Sequence, residues 1–143
     1  MDMVYTVQAG TTAFLECLVE GLNNRSVSWV RKTDRHILAV DREVFISDPR
    51  LSVLHRNDRW SLIIRNVMVK DEGTYQCQIS GKKRLTKLID LLVVVPRVVI
   101  VPMGNIYVRV SSRVGIQCVV DQVIHRPHHV AWIRNGQVRR KLL

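Results

Sequence analysis

The chain has 143 residues, 47% of them hydrophobic, so a packed core is within reach and wholesale disorder is excluded. Its formal charge of +10 suggests nucleic acid only until it is divided: residues 1–95 hold 14 Lys and Arg against 11 Asp and Glu, and residues 96–143 hold 8 against 1. No run of 18 apolar residues offers a transmembrane helix, and M-D-M-V-Y-T-V-Q-A-G lacks the basic start and apolar centre of an export signal.

Period-two alternation with β-branched residues runs through the sequence, without a competing helical period. V-Y-T-V-Q leads to a turn at Gly10. T-A-F-L-E-C-L-V comes next, with Phe14 and Glu16 opposing Leu15 and Cys17. S-V-S-W-V-R-K puts Val27, Trp29 and Arg31 on one face and Ser28, Val30 and Lys32 on the other. H-I-L-A-V and E-V-F-I-S are two short strands. R-L-S-V-L, W-S-L-I-I-R-N-V, G-T-Y-Q-C-Q-I and L-T-K-L-I-D-L-L-V-V-V complete the set, separated by turn residues such as N-N-R, S-D-P, R-N-D and K-D-E-G. About nine short strands so punctuated predict an all-β antiparallel sandwich. Pro96 and Pro102 then bracket R-V-V-I-V, a second start.

A weak internal repeat accompanies that second start. T-V-Q-A-G…L-E-C…V-S-W-V-R at 6–31 matches Y-V-R-V…I-Q-C…V-A-W-I-R at 107–134, with Cys-to-Trp spacings of 12 and 14. Only the first copy is complete. The division expected is a full domain over 1–95 and the N-terminal part of a second over 96–143, limited to strands A to C.

Cys17 and Cys77 lie 60 residues apart with Trp29 between them. One cysteine per sheet, bridged through the core against an indole, is the immunoglobulin arrangement. D-E-G-T-Y-Q-C adds a tyrosine corner, Tyr75 standing two residues before Cys77, and Asp71 can pair with Arg50. The 47 residues between Trp29 and Cys77 exceed the needs of a constant-type domain. H-I-L-A-V and E-V-F-I-S fill the gap as strands C′ and C″, which predicts a variable-type immunoglobulin sandwich. After Cys77 comes S-G-K-K-R-L-T-K rather than F/W-G-x-G, so antibody and T-cell receptor chains are excluded.

V-S-W-V-R-K-T-D-R-H-I-L-A-V, S-D-P-R-L-S-V, W-S-L-I-I-R-N-V and D-E-G-T-Y-Q-C-Q-I-S together resemble the first domain of the Dpr/DIP/IgLON group of neuronal cell-surface immunoglobulin proteins. The W-[VI]-R-K-x-D-x-H-I-L-x-V run is most similar to the Dpr branch and its nematode zwei-Ig relatives. The resemblance covers residues 4–95 well and 96–134 loosely. It implies homophilic or heterophilic binding of immunoglobulin-superfamily partners through the C-C′-C″-F-G face, in neuronal recognition or synapse specificity. The matching positions are Ser28, Val30 and Lys32, Ile37 and Ala39, Phe45, and Gln76, Gln78 and Ser80. Alternation selects the same set, because Trp29, Tyr75 and Cys77 must point inward. Val30, Ile37 and Phe45 would form an apolar centre within a polar ring, as a binding patch does, unless they pack beneath a loop or a second domain. Phe45 stands where Dpr-like chains often carry Tyr, so no contact through that hydroxyl is carried over.

Other signals weigh less. Asn24-Arg25-Ser26 is a glycosylation sequon in the predicted B–C loop. His125, His128 and His129 lack cysteines or carboxylates at ligand spacing, apart from distant Asp121, so no metal or other cofactor is expected. Lys82, Lys83 and Arg84 mark the F–G turn, a solvated tip or a contact for heparan sulfate or an acidic partner surface. Arg139, Arg140 and Lys141, at the end of the sequence, say little about function. No nucleophile motif, phosphate loop or zinc pattern appears, so neither catalysis nor nucleic-acid binding is expected.

The function expected is adhesion or recognition at a cell surface, or by a secreted form, without a chemical step. The alternative is a secreted polyanion-binding module. A Cys17–Cys77 bridge places the protein in an oxidising, extracellular setting. Cys118, without a partner, is expected to be a free thiol, and residues 103–143 to fold poorly alone.

Overall fold

The structure, a computed structural model, describes residues 3–127 and 129–142, side chains at 140–142 excepted. Two compact units, Met1–Val95 and Pro96–Leu143, divide the chain. In the first, β1 (Met3–Gln8), β3 (Val27–Arg31), β4 (His36–Val40), β5 (Glu43–Val44), β8 (Gly73–Ile79) and β9 (Leu85–Val94) form a six-stranded sheet in the order β1-β9-β8-β3-β4-β5. Facing it, β2 (Ala13–Leu18), β6 (Leu51–Arg56) and β7 (Arg59–Ile64) form a second sheet in the order β2-β7-β6. Neighbours run antiparallel, except that β1 lies parallel to β9. This is the all-β immunoglobulin sandwich, and β4 and β5 supply the additional edge anticipated for a variable-type domain.

The core forms because alternate residues of both sheets are apolar. Leu15 and Cys17 on β2 and Leu62 and Ile64 on β7 meet Trp29 on β3, Cys77 on β8 and Ile89 and Leu91 on β9, all almost wholly buried. Cys17 and Cys77 are joined by a disulfide across the sheets. Below the bridge, a 3-10 turn at Val69–Asp71 leads into β8. The Tyr75 hydroxyl donates to the Asp71 carbonyl at 2.7 Å, completing the tyrosine corner. Arg50 grips the Asp71 carboxylate with two bonds, at 2.7 and 2.9 Å, and reaches Asp48 at 2.9 Å.

Two details differ from the sequence reading. E-V-F-I-S supplies a strand of only Glu43–Val44: the Phe45 N–H still donates to the Leu38 carbonyl at 2.9 Å, after which the chain leaves for the opposite sheet. Ala39, expected to face outward, is fully buried. Between β3 and β4 the register runs from Trp29↔Ala39 to Val30↔Ile37, leaving Leu38 as an extra residue. This β-bulge reverses the parity of the rest of β4, so Leu38 and Ala39 both enter the core.

The three-stranded sheet has a free border along β2, and side chains from the other sheet cap it. The Glu16 N–H is directed at the Tyr5 hydroxyl at 3.4 Å, and the Lys87 ammonium donates to the Leu18 carbonyl.

In the second unit β10 (Arg97–Val101) pairs antiparallel with β11 (Gln117–Asp121), and β12 (Val130–Arg134) with β13 (Gln137–Leu142). The strand set expected there ended at the Trp132 strand, so β13 corrects it. Asn135 and Gly136 both take positive φ, 47° and 77°, the conformation of a tight hairpin turn that Asn-Gly favours. Y-V-R-V at 107–110 forms no strand. None of the described side chains of this unit is buried, and Cys118, an unpaired cysteine, lines an open groove with Val120, Val130 and Trp132.

Candidate recognition face

The outer side of the six-stranded sheet is assembled by register. Val30 on β3 lies opposite Ile37 on one side and Gln76 on the other, and Gln76 lies opposite Leu88. Leu88, Gln76, Val30 and Ile37 therefore form one rung across four strands. The next rung is Thr86, Gln78, Ser28 and Val40, the last opposite Glu43 on β5. Ile37 is 55% exposed and Phe45 61%, large values for apolar side chains on strand or turn positions. Val30, Val40 and Leu88 are half-buried beside them. The result is an apolar centre with Gln76, Gln78 and Ser28 set among it.

Six of the nine positions named from sequence lie on this face or at its border: Ser28, Val30, Lys32, Ile37, Gln76 and Gln78. Phe45 is exposed just past β5, where it lines an open groove with Val40, Glu43, His55 and Trp60. Lys32 is exposed at one margin, where its N–H donates to the Thr74 carbonyl at 2.9 Å. Ser80 stands at the opposite margin, its Oγ accepting the Ser26 N–H at 2.8 Å, so that hydroxyl is committed within the fold. Ala39 is absent from the face because the bulge at Leu38 turns it into the core. Leu88 and Val40 were missed. Leu88 could have been found by counting alternate positions back from the buried Ile89 and Leu91 strand face; Val40 depends on the bulge, which no single strand announces.

Electrostatics fix the rim near Ile37. The Asp34 carboxylate accepts three bonds from the Arg31 guanidinium, the shortest at 2.6 Å, and one from the His36 N–H at 3.1 Å. The Arg31 bonds, aided by that N–H, hold the Asp34 carboxyl at about 2, well below its ordinary value. The β3–β4 turn is thus pinned in the conformation that presents Ile37. Away from the face, Asn24 is exposed on the β2–β3 connection. Among the described residues no three His, Cys, Asp or Glu side chains gather as a metal-holding group, and His128 lies outside those residues.

Comparison with known proteins agrees with this architecture. The immunoglobulin I-set domain family matches residues 3–87. The limbic system-associated membrane protein of Rattus norvegicus is 30% identical over 118 residues, which are 81% of this chain and 34% of that protein. IgLON family member 5 of Homo sapiens is 28% identical over 137 residues, 92% of this chain and 39% of the relative. The chain thus spans little more than a third of the length of these curated relatives. Among solved structures, Dpr11 IG1 bound to DIP-gamma superposes with a TM-score of 0.63 at 32% identity, covering 71% of this chain and 50% of that one. The RIG-5 IG1 homodimer gives 0.59 at 25%, covering 64% and 89%. DIP-gamma IG1+IG2 gives 0.64 at 25%, covering 99% and 72%. The resemblance to the Dpr/DIP/IgLON group, first carried by a few strand motifs, extends through sequence and fold alike. The chain belongs to the immunoglobulin I-set domain family.

Proposed function

We propose that this protein is a cell-surface or extracellular recognition molecule that binds immunoglobulin-superfamily partners through the outer face of its six-stranded sheet. The observation that carries the reading is the rung of Leu88, Gln76, Val30 and Ile37, with Ile37 more than half exposed. An apolar centre interleaved with uncharged polar groups is the composition of an interface core, where charged residues are depleted. Dpr11 IG1 bound to DIP-gamma and the RIG-5 IG1 homodimer are complexes between immunoglobulin domains, one heterophilic and one homophilic. We carry both modes over to this chain, with Ser28, Val30, Lys32, Ile37, Phe45, Gln76 and Gln78 as contacts and neuronal recognition as the setting. The disulfide calls for an oxidising compartment, which agrees with an extracellular site.

Ile37→Asp tests this. A charge at the centre of the interface should weaken partner binding at least about a hundredfold, since burying an unpaired carboxylate costs several kcal/mol. The thermal midpoint should hardly move, because Ile37 is exposed in the free protein. Unchanged binding in a displacement titration against Dpr- and DIP-type first domains would overturn the reading, and so would an equal loss of folding.

Residues 96–143 belong, in this proposal, to a second immunoglobulin domain, with Cys118 and Trp132 in the places of Cys17 and Trp29. The open groove they line is the corresponding half-core. One thiol per molecule should therefore react with a maleimide in the native chain, and finding none would remove the assignment of Cys118 as free.

A further inference from the structure

A row of unpaired cations crosses one end of the first unit, from one sheet to the other. It begins at the β6–β7 hairpin, where Arg56 lies opposite Arg59. Arg59 lies opposite Leu18 at the end of β2, and Lys87 of β9 reaches across to the Leu18 carbonyl. Beyond β9 the row continues into Lys82, Lys83 and Arg84 on the β8–β9 turn. All six are exposed. Among the described residues none forms an ion pair, although Arg31 and Arg50 at the opposite end both do. Arg25 borders the row but its guanidinium is spent on the Leu22 and Gly21 carbonyls, at 3.1 and 2.8 Å. Of the acids at this end, Asp41 is held by the Val27 N–H at 3.0 Å, while Glu20, Glu43 and Asp58 are exposed and form no ion pair among the described residues.

We propose that this row is a binding track for a sulfated glycosaminoglycan chain, separate from the recognition face. Six like charges held outside any ion pair repel one another in the folded unit, and of the six only Lys87 has a bond within the fold, to the Leu18 carbonyl. A linear polyanion relieves that repulsion along the whole row at once. The geometry favours a polymer over a compact anion, because the cations come from three successive stretches of chain strung over both sheets rather than converging on a point. It also favours a polymer over a lipid surface, since the β6–β7 and β8–β9 turns carry no aromatic residue to anchor in a headgroup layer. A protein holding such a chain here keeps the outer face of the six-stranded sheet open for its protein partner.

The test measures heparin affinity of the full chain at about 0.15 M salt, where exposed charges further apart than about 8 Å are screened. Lys82→Glu/Lys83→Glu/Arg84→Glu and Arg56→Glu/Arg59→Glu should each weaken binding about tenfold, as two or three surface ion pairs of up to about 1 kcal/mol would. Arg109→Glu/Arg113→Glu, an equally basic site in the second unit, should change it less than about twofold. Heparin stripped of sulfate should bind at least about tenfold more weakly than the intact chain. Equal losses from all three variants would make the effect one of net charge and overturn the track. Undiminished binding of desulfated heparin, or tighter binding to phosphatidylserine vesicles than to heparin, would do the same. Ile37→Asp should leave heparin affinity unchanged, so failure of the track and failure of the recognition face read out separately.

Discussion

Replacing Cys17 and Cys77 together by alanine is expected to lower the stability of the first unit by about 4 kcal/mol and its thermal midpoint by roughly 20 °C. The bridge spans a sequence separation of 60 residues, and that length sets the magnitude. Opening it returns the closed loop's conformational freedom to the unfolded chain. Both cysteines are almost fully buried against the core that contains Trp29, so truncation to alanine also removes packed sulfur. Urea denaturation of the variant and the parent measures the difference. A loss below about 1 kcal/mol would mean that packing alone holds the sheets together, against the chain-entropy argument.

The second large effect lies at Asp71. Asp71→Asn should cost about 3 kcal/mol, toward the lower end for breaking a buried ion pair because Arg50 keeps Asp48. Arg50→Met should cost a similar amount. The two losses should not add, since both remove one interaction. The same cluster makes stability depend on acid. Burial by itself would raise the Asp71 carboxyl, but the Arg50 bonds and the Met68 N–H at 2.8 Å outweigh it and hold the group below its ordinary value. Asp48 is lowered as well, chiefly by its bond from Arg50. Both groups bind protons less readily folded than unfolded. Their contribution is complete above the unfolded value of about 4 and is lost as pH falls toward the depressed folded values. A stability profile from pH 7 down to about pH 2 should therefore fall most steeply below pH 4, and Asp71→Asn should flatten that limb. An unaltered limb in the variant would place the acid sensitivity elsewhere.

The sandwich was legible because its determinants are local. A strand buried on one side alternates, and alternation survives in the letters of T-A-F-L-E-C-L-V or G-T-Y-Q-C-Q-I. The cysteine pair with Trp29 and the D-E-G-T-Y-Q-C corner then chose between sandwich types, and Asp71 with Arg50 came from the same pattern. The face was legible only where a strand keeps its parity. Ser28, Val30, Gln76 and Gln78 are fixed by Trp29 and Cys77 on their own strands. Ala39 is not, because its side depends on how β4 is paired with β3, and one inserted residue at Leu38 reverses it. Phe45 was located correctly as exposed although its strand had ended, because the Leu38 carbonyl still holds its N–H. In the second unit the Asn135-Gly136 hairpin was written plainly in the sequence and went unused, so β13 was missed.

The caps on β2 bear on what the protein does not bind. An unguarded strand border of alternating N–H and C=O groups accepts any extended chain, including a second copy of itself, and such sheet-to-sheet growth has no natural stop. Here the Glu16 N–H faces the Tyr5 hydroxyl and the Leu18 carbonyl faces the Lys87 ammonium. Two of the groups an invading strand would need are occupied, and one occupant carries a charge that an incoming backbone cannot satisfy. An extended chain, a second copy included, is thereby denied a clean run of pairing along this border of the small sheet.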